Sequence, residues 1–474
     1  MVRKAMLRRN GAFALGLGLL AMTGGCSGGD GPTPAPTPTP TNRAPAFTSA
    51  ATVSVSENKA GAVYTATATD ADGDPVTFSI SGGTDAGAFT LASGVLTLVS
   101  AANFDRPTDA NADNVYNVTL TAADAKGGST ALALNVQITN DHEGVNLVRV
   151  AAGFGADAVI APLSRKTGLI AISQDGTARL VDAASGALTT ITNVFKPGEN
   201  GRVLAVAEFN TFGVAMLDID GVGVILRTIL LSDSRAQFVL EDDVAGPSTM
   251  KPRGTLFVGG DGFLYGALGD PSGNFAKDSE AGHGKFYRVE IDPYCGASFL
   301  TYCMYAEQSG DGVHAPAGGG GYAGKSFLLD RGTDKQEEVN FFDQRAEPDF
   351  GWPFREGTIE RVANPPAVGI VPSLIYPHGT GFFAGSGLTG GMLYGGSIAS
   401  IDGRVLLTDE AGRIFAFPAT LLGDGAVHQA SEMENRTADF APASGAIERP
   451  VAILRDFAGR LFVLDGDGEL YGTS

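Results

Sequence analysis

The chain has 474 residues, too many for one ordinary domain and enough for two or three. It carries 33 basic against 52 acidic residues, a formal net charge of −19, which repels nucleic acid and attracts cations. With 66 glycines and 24 prolines, the composition favours turn-rich all-β structure over helix bundles.

Arg3, Lys4, Arg8 and Arg9 precede an apolar run from Gly11 to Met22, then Thr23-Gly24-Gly25-Cys26. Residues 1–25 therefore read as an export signal that resembles a bacterial lipoprotein leader, with Cys26 as the lipidated residue; a plain secretory leader is the alternative. Thr23 stands where such leaders usually carry a large aliphatic residue. No other apolar stretch is long enough to span a bilayer, so the expected attachment is by acyl chains. The expected location is exported, in the periplasm or at the bacterial outer membrane, with the membrane contacted through the lipid anchor. Residues 26–43 are rich in Pro and Thr and should form an extended stalk of roughly 3.1 Å per residue. Cys295 and Cys303 remain as a pair, and in an exported protein a disulfide between them is the default reading.

Residues 44–143 show strand periodicity. Tyr116, Val118, Leu120 and Ala122 alternate with polar residues, and Leu132, Leu134, Val136 and Ile138 repeat the pattern. Shorter candidates are 53–55, 62–69, 76–80 and 95–99, separated by Gly, Asp and Asn turns. Around seven strands in this length is the count of a β-sandwich.

A dispersed acidic and amide set punctuates these strands: Glu57-Asn58, Asp70-Ala71-Asp72-Gly73-Asp74, Asp105-Arg106, Asp109 to Asn114, and Asn140-Asp141. Calcium takes six to eight hard oxygen ligands, which these residues could supply only after folding. A continuous EF-hand is excluded. Counted from Asp70, the glycine and closing glutamate positions hold Pro75 and Ser81; counted from Asp109, they hold Asn114 and Leu120. Together with Ala44-Pro45-Ala46-Phe47, these motifs resemble, in order and over one repeat length, the signatures of a cadherin repeat. That resemblance implies a Greek-key sandwich with calcium at both poles: Glu57, Asp105, Asn140 and Asp141 at one, Asp70 and Asp72 at the other. Pro107 stands where a second glutamate is usual, and Asp109, Asn111 and Asp113 in an inserted loop are candidates to replace it.

From about residue 145 to the end, apolar strands recur in hairpins closed by Asp-Gly or similar turns, at 170–176, 255–265, 404–417 and 459–464. The rhythm predicts a β-propeller, and six blades of about 50 residues fit the length. Gly198-Glu199-Asn200-Gly201, Gly284-Lys285-Phe286-Tyr287-Arg288, Glu337-Glu338-Val339-Asn340 and Phe350-Gly351-Trp352-Pro353-Phe354-Arg355-Glu356-Gly357 resemble the glucose/sorbosone dehydrogenase family. Its members are six-bladed propellers that use pyrroloquinoline quinone (PQQ). The resemblance implies a histidine base before the third blade, yet residues 249–256 contain Lys251 and no histidine. The family's Gly-x-Arg-Asn-Pro segment is missing after Tyr305-Ala306 as well. Lys251, His283, His314 and His378 are the remaining candidates for a catalytic base, of which His378 alone occupies a family-like position.

The overall expectation is an all-β protein, a cadherin-like Greek-key sandwich followed by a six-bladed propeller over residues 145–474. The first functional reading is a calcium-binding surface protein whose propeller has lost catalysis and recognises a cell-surface protein or glycan. The alternative is a periplasmic, PQQ-dependent aldose dehydrogenase with a cadherin spacer, and a third reading is a hydrolytic calcium propeller such as a lactonase. Nucleic acid is not an expected partner.

Overall fold

The computed structural model describes residues 41–164, 168–209, 212–230, 237–247, 249–292, 303–367 and 369–473. The leader, Cys26 and Cys295 lie outside them. Cys303 lies within them and is disulfide-bonded. Among the described residues, no helix is long and apolar enough to cross a membrane. The described structure is all-β, with a few single 3-10 turns between strands.

The N-terminal unit is a two-sheet sandwich. One sheet runs Thr52–Ser56, Ser129–Thr139, Val115–Asp124, Val76–Gly82 in spatial order, the first pair parallel and the others antiparallel. The other runs Gly61–Thr65, Val95–Leu98, Phe89–Ala92, and a short ribbon pairs Ala46–Phe47 with Ala68–Thr69. Alternation along Val115–Asp124 turns Tyr116, Val118, Leu120 and Ala122 inward, as their spacing predicts. They meet Leu134, Val136 and Ile138 from the neighbouring strand and Phe89, Leu96 and Leu98 from the facing sheet. Each fully buried aliphatic side chain here contributes roughly 1.5–3 kcal/mol relative to an exposed one. The expected single strand over 62–69 is two. At Ala66, whose amide donates to the Gly94 carbonyl at 2.8 Å, the chain leaves one sheet for the ribbon.

Among the described residues the C-terminal unit is a propeller of six blades, five of them four-stranded and the fourth five-stranded through the added short strand His428–Gln429. The inner strands are Val159–Leu163, Gly201–Phe209, Gly254–Val258, Pro316–Tyr322, Leu388–Tyr394 and Pro450–Arg455, each packed against the next around a closed ring. The second strands of the blades, such as Gly168–Ile172, Leu264–Leu268 and Leu461–Asp465, are buried along their whole length. Neighbouring blades cover both of their faces, so they read as unbroken apolar runs instead of alternating ones. Leu147–Ala152, the first strand after the sandwich, closes the ring by pairing antiparallel with Glu469–Thr473 at the end of the chain. Hairpin turns in this unit rely on positive backbone φ at Gly176 and Gly412, which only glycine adopts without strain.

Candidate functional site

Among the described residues charged side chains gather in several places, and two of these bear on function. The first is the seam between sandwich and propeller. Parallel pairing of Ser56 with Thr139 carries Glu57 to the side of Asn140 and Asp141. The buried Glu57 carboxylate accepts the Phe104 amide at 2.8 Å and the Asp141 amide at 2.9 Å, so one side chain ties three sequence motifs together. Asp105 follows Phe104 and is 0% exposed. Neither of its carboxylate oxygens has a hydrogen-bond partner. Its nearest cation is Arg436 of the propeller, with Nη1 3.0 Å from Oδ2 but outside hydrogen-bonding alignment. Burial pushes the Asp105 carboxyl up to about 8 despite the attraction of Arg436.

Glu57, Asp105 and Glu143 each offer a carboxylate oxygen, and these atoms lie within 4.8 Å of one another. The buried Oδ1 atoms of Asn114 and Asn140 have no hydrogen-bond partner either. Asp141, by contrast, is exposed and contributes its amide. Across the seam, Arg436 is 1% exposed and forms ion pairs with Glu143 at 2.6 Å, Asp439 at 2.6 Å and Glu434 at 3.5 Å. Asp439 is fully buried, and burial pushes it up to about 6 against the pull of Arg436 and a hydrogen bond from the Asn140 side chain. Main-chain and side-chain bonds stitch the rim: Arg106 to the Ser431 carbonyl at 3.1 Å, Ser400 to the Glu143 carbonyl at 2.9 Å, and His142 Nδ1 with the Asp439 carbonyl at 3.1 Å.

The sequence grouped Glu57, Asp105, Asn140 and Asp141; the structure brings the carboxylates of Glu57 and Asp105 together, with Asp141 joining through its amide. The sequence grouping missed Glu143, Arg436 and Asp439. In the inserted loop the side chains of Asp109, Asn111 and Asp113 bond within the loop, while Asn114 at its end donates to the Phe104 carbonyl at 2.9 Å. Asp109 accepts the amides of Asp113 and Asn114, while Asn111 donates to Asp113 at 2.8 Å. At the opposite pole, Asp70, Asp72 and Asp74 also approach within 4.8 Å of one another. There Arg43 holds Asp72 at 2.7 Å and Lys126 holds Asp74 at 2.8 Å, so countercharges from the chain itself already sit on that cluster. Asn42 lies beside them, donating to Asp124 at 2.9 Å.

The second place is the propeller axis, where the inner strands enclose a cavity of about 980 Å³. Asp157, Arg202, Arg253, Glu410 and Arg449 line the end at which those strands begin; Glu208, Arg455 and Asp456 line the other. Arg253 immediately precedes the third inner strand. It shares Glu410 with Arg331, Arg253 at 3.0 Å and Arg331 at 2.5 Å. Burial raises the Glu410 carboxyl, but the hydrogen bond from Arg331 and the charges of both arginines outweigh it and leave the group below its ordinary range. The other lining carboxylates are engaged too. Asp157 pairs with Arg449 at 2.6 Å, Asp456 with Arg460 at 2.7 Å, and Glu208 accepts the Ser164 amide.

Lys251 is exposed and is not part of the cavity wall. His378 is also outside the wall; its Nε2 is hydrogen-bonded to the buried Glu337 carboxylate, and that bond raises the imidazole above its usual value. Glu337 in turn accepts the Leu388 amide at 3.1 Å, fixing the start of the fifth inner strand. Trp352 is buried; its indole N–H donates to the Asp270 carbonyl at 2.7 Å, and Arg361 lies 4.7 Å over its ring. Asp270 shapes its own turn by accepting the amides of Ser272, Phe275 and Ala276.

The architecture is shared with known enzymes. The chain is similar to a crystal structure of a glucose dehydrogenase at TM-score 0.53 and 18% identity, over 69% of this chain and 99% of the other. A soluble aldose sugar dehydrogenase from Escherichia coli, in its apo form, is matched at TM-score 0.52 and 18% identity over the same shares. A further glucose dehydrogenase matches equally, at TM-score 0.52. At this identity the likeness carries the fold: the propeller is of the sugar dehydrogenase type. No protein-family model matches the chain, and no curated protein matches it.

Proposed function

We propose that the protein is a calcium-dependent binding protein of the bacterial cell envelope. In this reading it is exported, lipid-anchored through Cys26, and built from a cadherin-like calcium module and a propeller that acts as a recognition head. The observation that carries the reading is Asp105: a carboxylate with 0% exposure and no hydrogen bond on either oxygen, with Arg436 3.0 Å from Oδ2 and Glu57 and Glu143 beside it. Burying three acids around one shared guanidinium is expensive, and a hard divalent cation is the partner whose chemistry suits them. Glu57, Asp105, Glu143 and the Asn140 amide oxygen are all hard oxygen donors, so the residues fit calcium. The cation would supply charge neutralisation; the chain supplies a cage already held by the Phe104 and Asp141 amides.

The propeller's axis supports binding over oxidation. A base for hydride transfer should titrate near the working pH. Every carboxylate in the wall is instead paired or hydrogen-bonded, and Arg253, a guanidinium, stands at the mouth. Arg202, Arg253 and Arg449 would suit the carboxylates of an anionic ligand, PQQ included, but that wall offers no free base to accompany it. The sugar dehydrogenase reading rests on the shared fold; its candidate base His378 is bonded to Glu337 outside the cavity wall.

Titration calorimetry of the full chain tests the first reading: heat of calcium binding is expected, and silence up to millimolar calcium overturns it. Reconstitution with PQQ and calcium, followed by dye reduction with a panel of aldoses, tests the second. Background rates are expected, and turnover well above background reverses the assignment.

A further inference from the structure

Resting on the calcium reading above, we propose that the site is bipartite: Asp439 of the propeller completes the ligand set begun by Glu57, Asp105 and Glu143, so that one divalent cation clamps the two units together. An acidic cluster alone would not support this. The independent observation is that Asp105 and Asp439 are both 0% exposed and share one guanidinium: Arg436 pairs with Oδ2 of each, Asn140 adds a hydrogen bond to Asp439, and Asp105 Oδ1 is left buried with no hydrogen bond. Buried polar atoms are almost always satisfied, so two acids on one shared cation leave acceptor capacity for a further partner.

The charge balance agrees. Glu57, Asp105, Glu143, Glu434 and Asp439 crowd the seam, against the guanidiniums of Arg436 and Arg404. A divalent ion offsets most of the remaining negative charge. Arg436 ion-pairs with Oδ2 of Asp105 and with Oδ2 of Asp439, so it holds the two acids in register while sharing one positive charge between them. The surrounding contacts keep the seam from opening: the Asn435 amide donates to the Asp105 carbonyl at 2.8 Å, and Ser400 bonds the Glu143 carbonyl. Asp439 is a ligand by this reading, and Arg436 a positioning residue.

The test uses the full chain and calcium alone, read by calorimetry and by calcium-dependent thermal shift. Asp439→Asn should weaken calcium binding at least tenfold and shrink the shift, and Asp105→Asn should do the same from the other unit. Arg436→Gln, which leaves the acids unopposed, should melt lower than the parent without calcium and recover a larger share of its stability when calcium is added. If Asp105→Asn abolishes binding and Asp439→Asn leaves it unchanged, the site belongs to the sandwich alone and the bipartite proposal falls while the calcium reading stands. If the parent chain shows no calcium heat, the calcium reading itself fails. Should Asp439→Asn not fold, the Arg436→Gln shift decides: a calcium response equal to the parent's overturns the proposal.

Discussion

The main-chain amide of Asn435, on the outer strand of the fifth blade, donates to the main-chain carbonyl of Asp105 in the sandwich at 2.8 Å. The residue with the least satisfied carboxylate in the sandwich is thus held to the propeller by its own backbone. Sandwich and propeller should therefore exchange amide hydrogens at this seam as one unit. Hydrogen exchange is expected to show strong protection of the Asn435 amide, rising further with calcium. Exchange at the rate of an exposed strand end would mean that the seam opens freely.

Glu57 is the hub of the sandwich pole. Glu57→Ala leaves the part-buried Phe104 and Asp141 amides without their acceptor, and a donor shut off from water costs about 1–3 kcal/mol when stranded. Urea denaturation should place the loss at about 1–3 kcal/mol even without calcium. A loss under half a kilocalorie would show that water replaces the carboxylate without penalty.

In the propeller core, Phe286 stacks on Tyr265 at 5.2 Å and meets Phe342 and Phe350 edge-on at 5.3 and 5.9 Å, with no exposed surface. Phe286→Ala should destabilise the propeller by about 3–5 kcal/mol, combining lost burial with an unfilled cavity. Phe286→Leu should cost less, because it retains most of the volume. Equal melting of the two variants would contradict this account.

Glu338 and Asp330 are cross-strand partners in the fourth blade, and both are buried. Burial first, then repulsion from Asp330, raises Glu338 above the ordinary glutamate range, despite hydrogen bonds from Gly357 and Asn340. A carboxyl whose folded pKa lies above its unfolded value stabilises fully below the unfolded value, near ~4.3, and loses that contribution as pH rises through the folded one. Propeller stability should accordingly fall as pH is raised from mildly acidic towards alkaline. Glu338→Gln should flatten the dependence; an unaltered slope in denaturation midpoints would place its origin elsewhere.

Glu410 neutralises Arg253 and Arg331 at the channel mouth. Glu410→Gln frees both guanidiniums, and a small tricarboxylate such as citrate should then bind roughly tenfold more tightly, about 1.4 kcal/mol. The gain should shrink as salt is added, since partly exposed charges are screened. No change in citrate affinity would mean that these arginines do not serve the channel.

Much of the fold could be read from the chain because strand alternation and Asp-Gly turns are local signals. Tyr116, Val118 and Leu120 point inward for the same reason that they alternate. Glu57, Asp105 and Asn140 could be grouped because their motifs resemble an ordered set, and the parallel pairing of Ser56 with Thr139 makes that grouping physical. Asp439 and Arg436 carried no such signal. They sit on a 3-10 turn about 330 residues beyond Asp105 in the chain, and only the docking of two units brings them near. The loop of Asp109, Asn111 and Asp113 looked like spare ligands, yet short polar side chains readily cap the amides next to them.

The strand that seals the propeller ring, Leu147–Ala152, begins only a few residues after the sandwich ends at Thr139. Tension applied between the N-terminal segment and the propeller therefore arrives first at the seam and at the ladder joining Leu147–Ala152 to Glu469–Thr473. A loaded molecule would part at its closure before any single blade came undone. Whatever fastens Asp105 to Asp439 acts as a strain relief for that closure, carrying force around the one joint on which the ring depends.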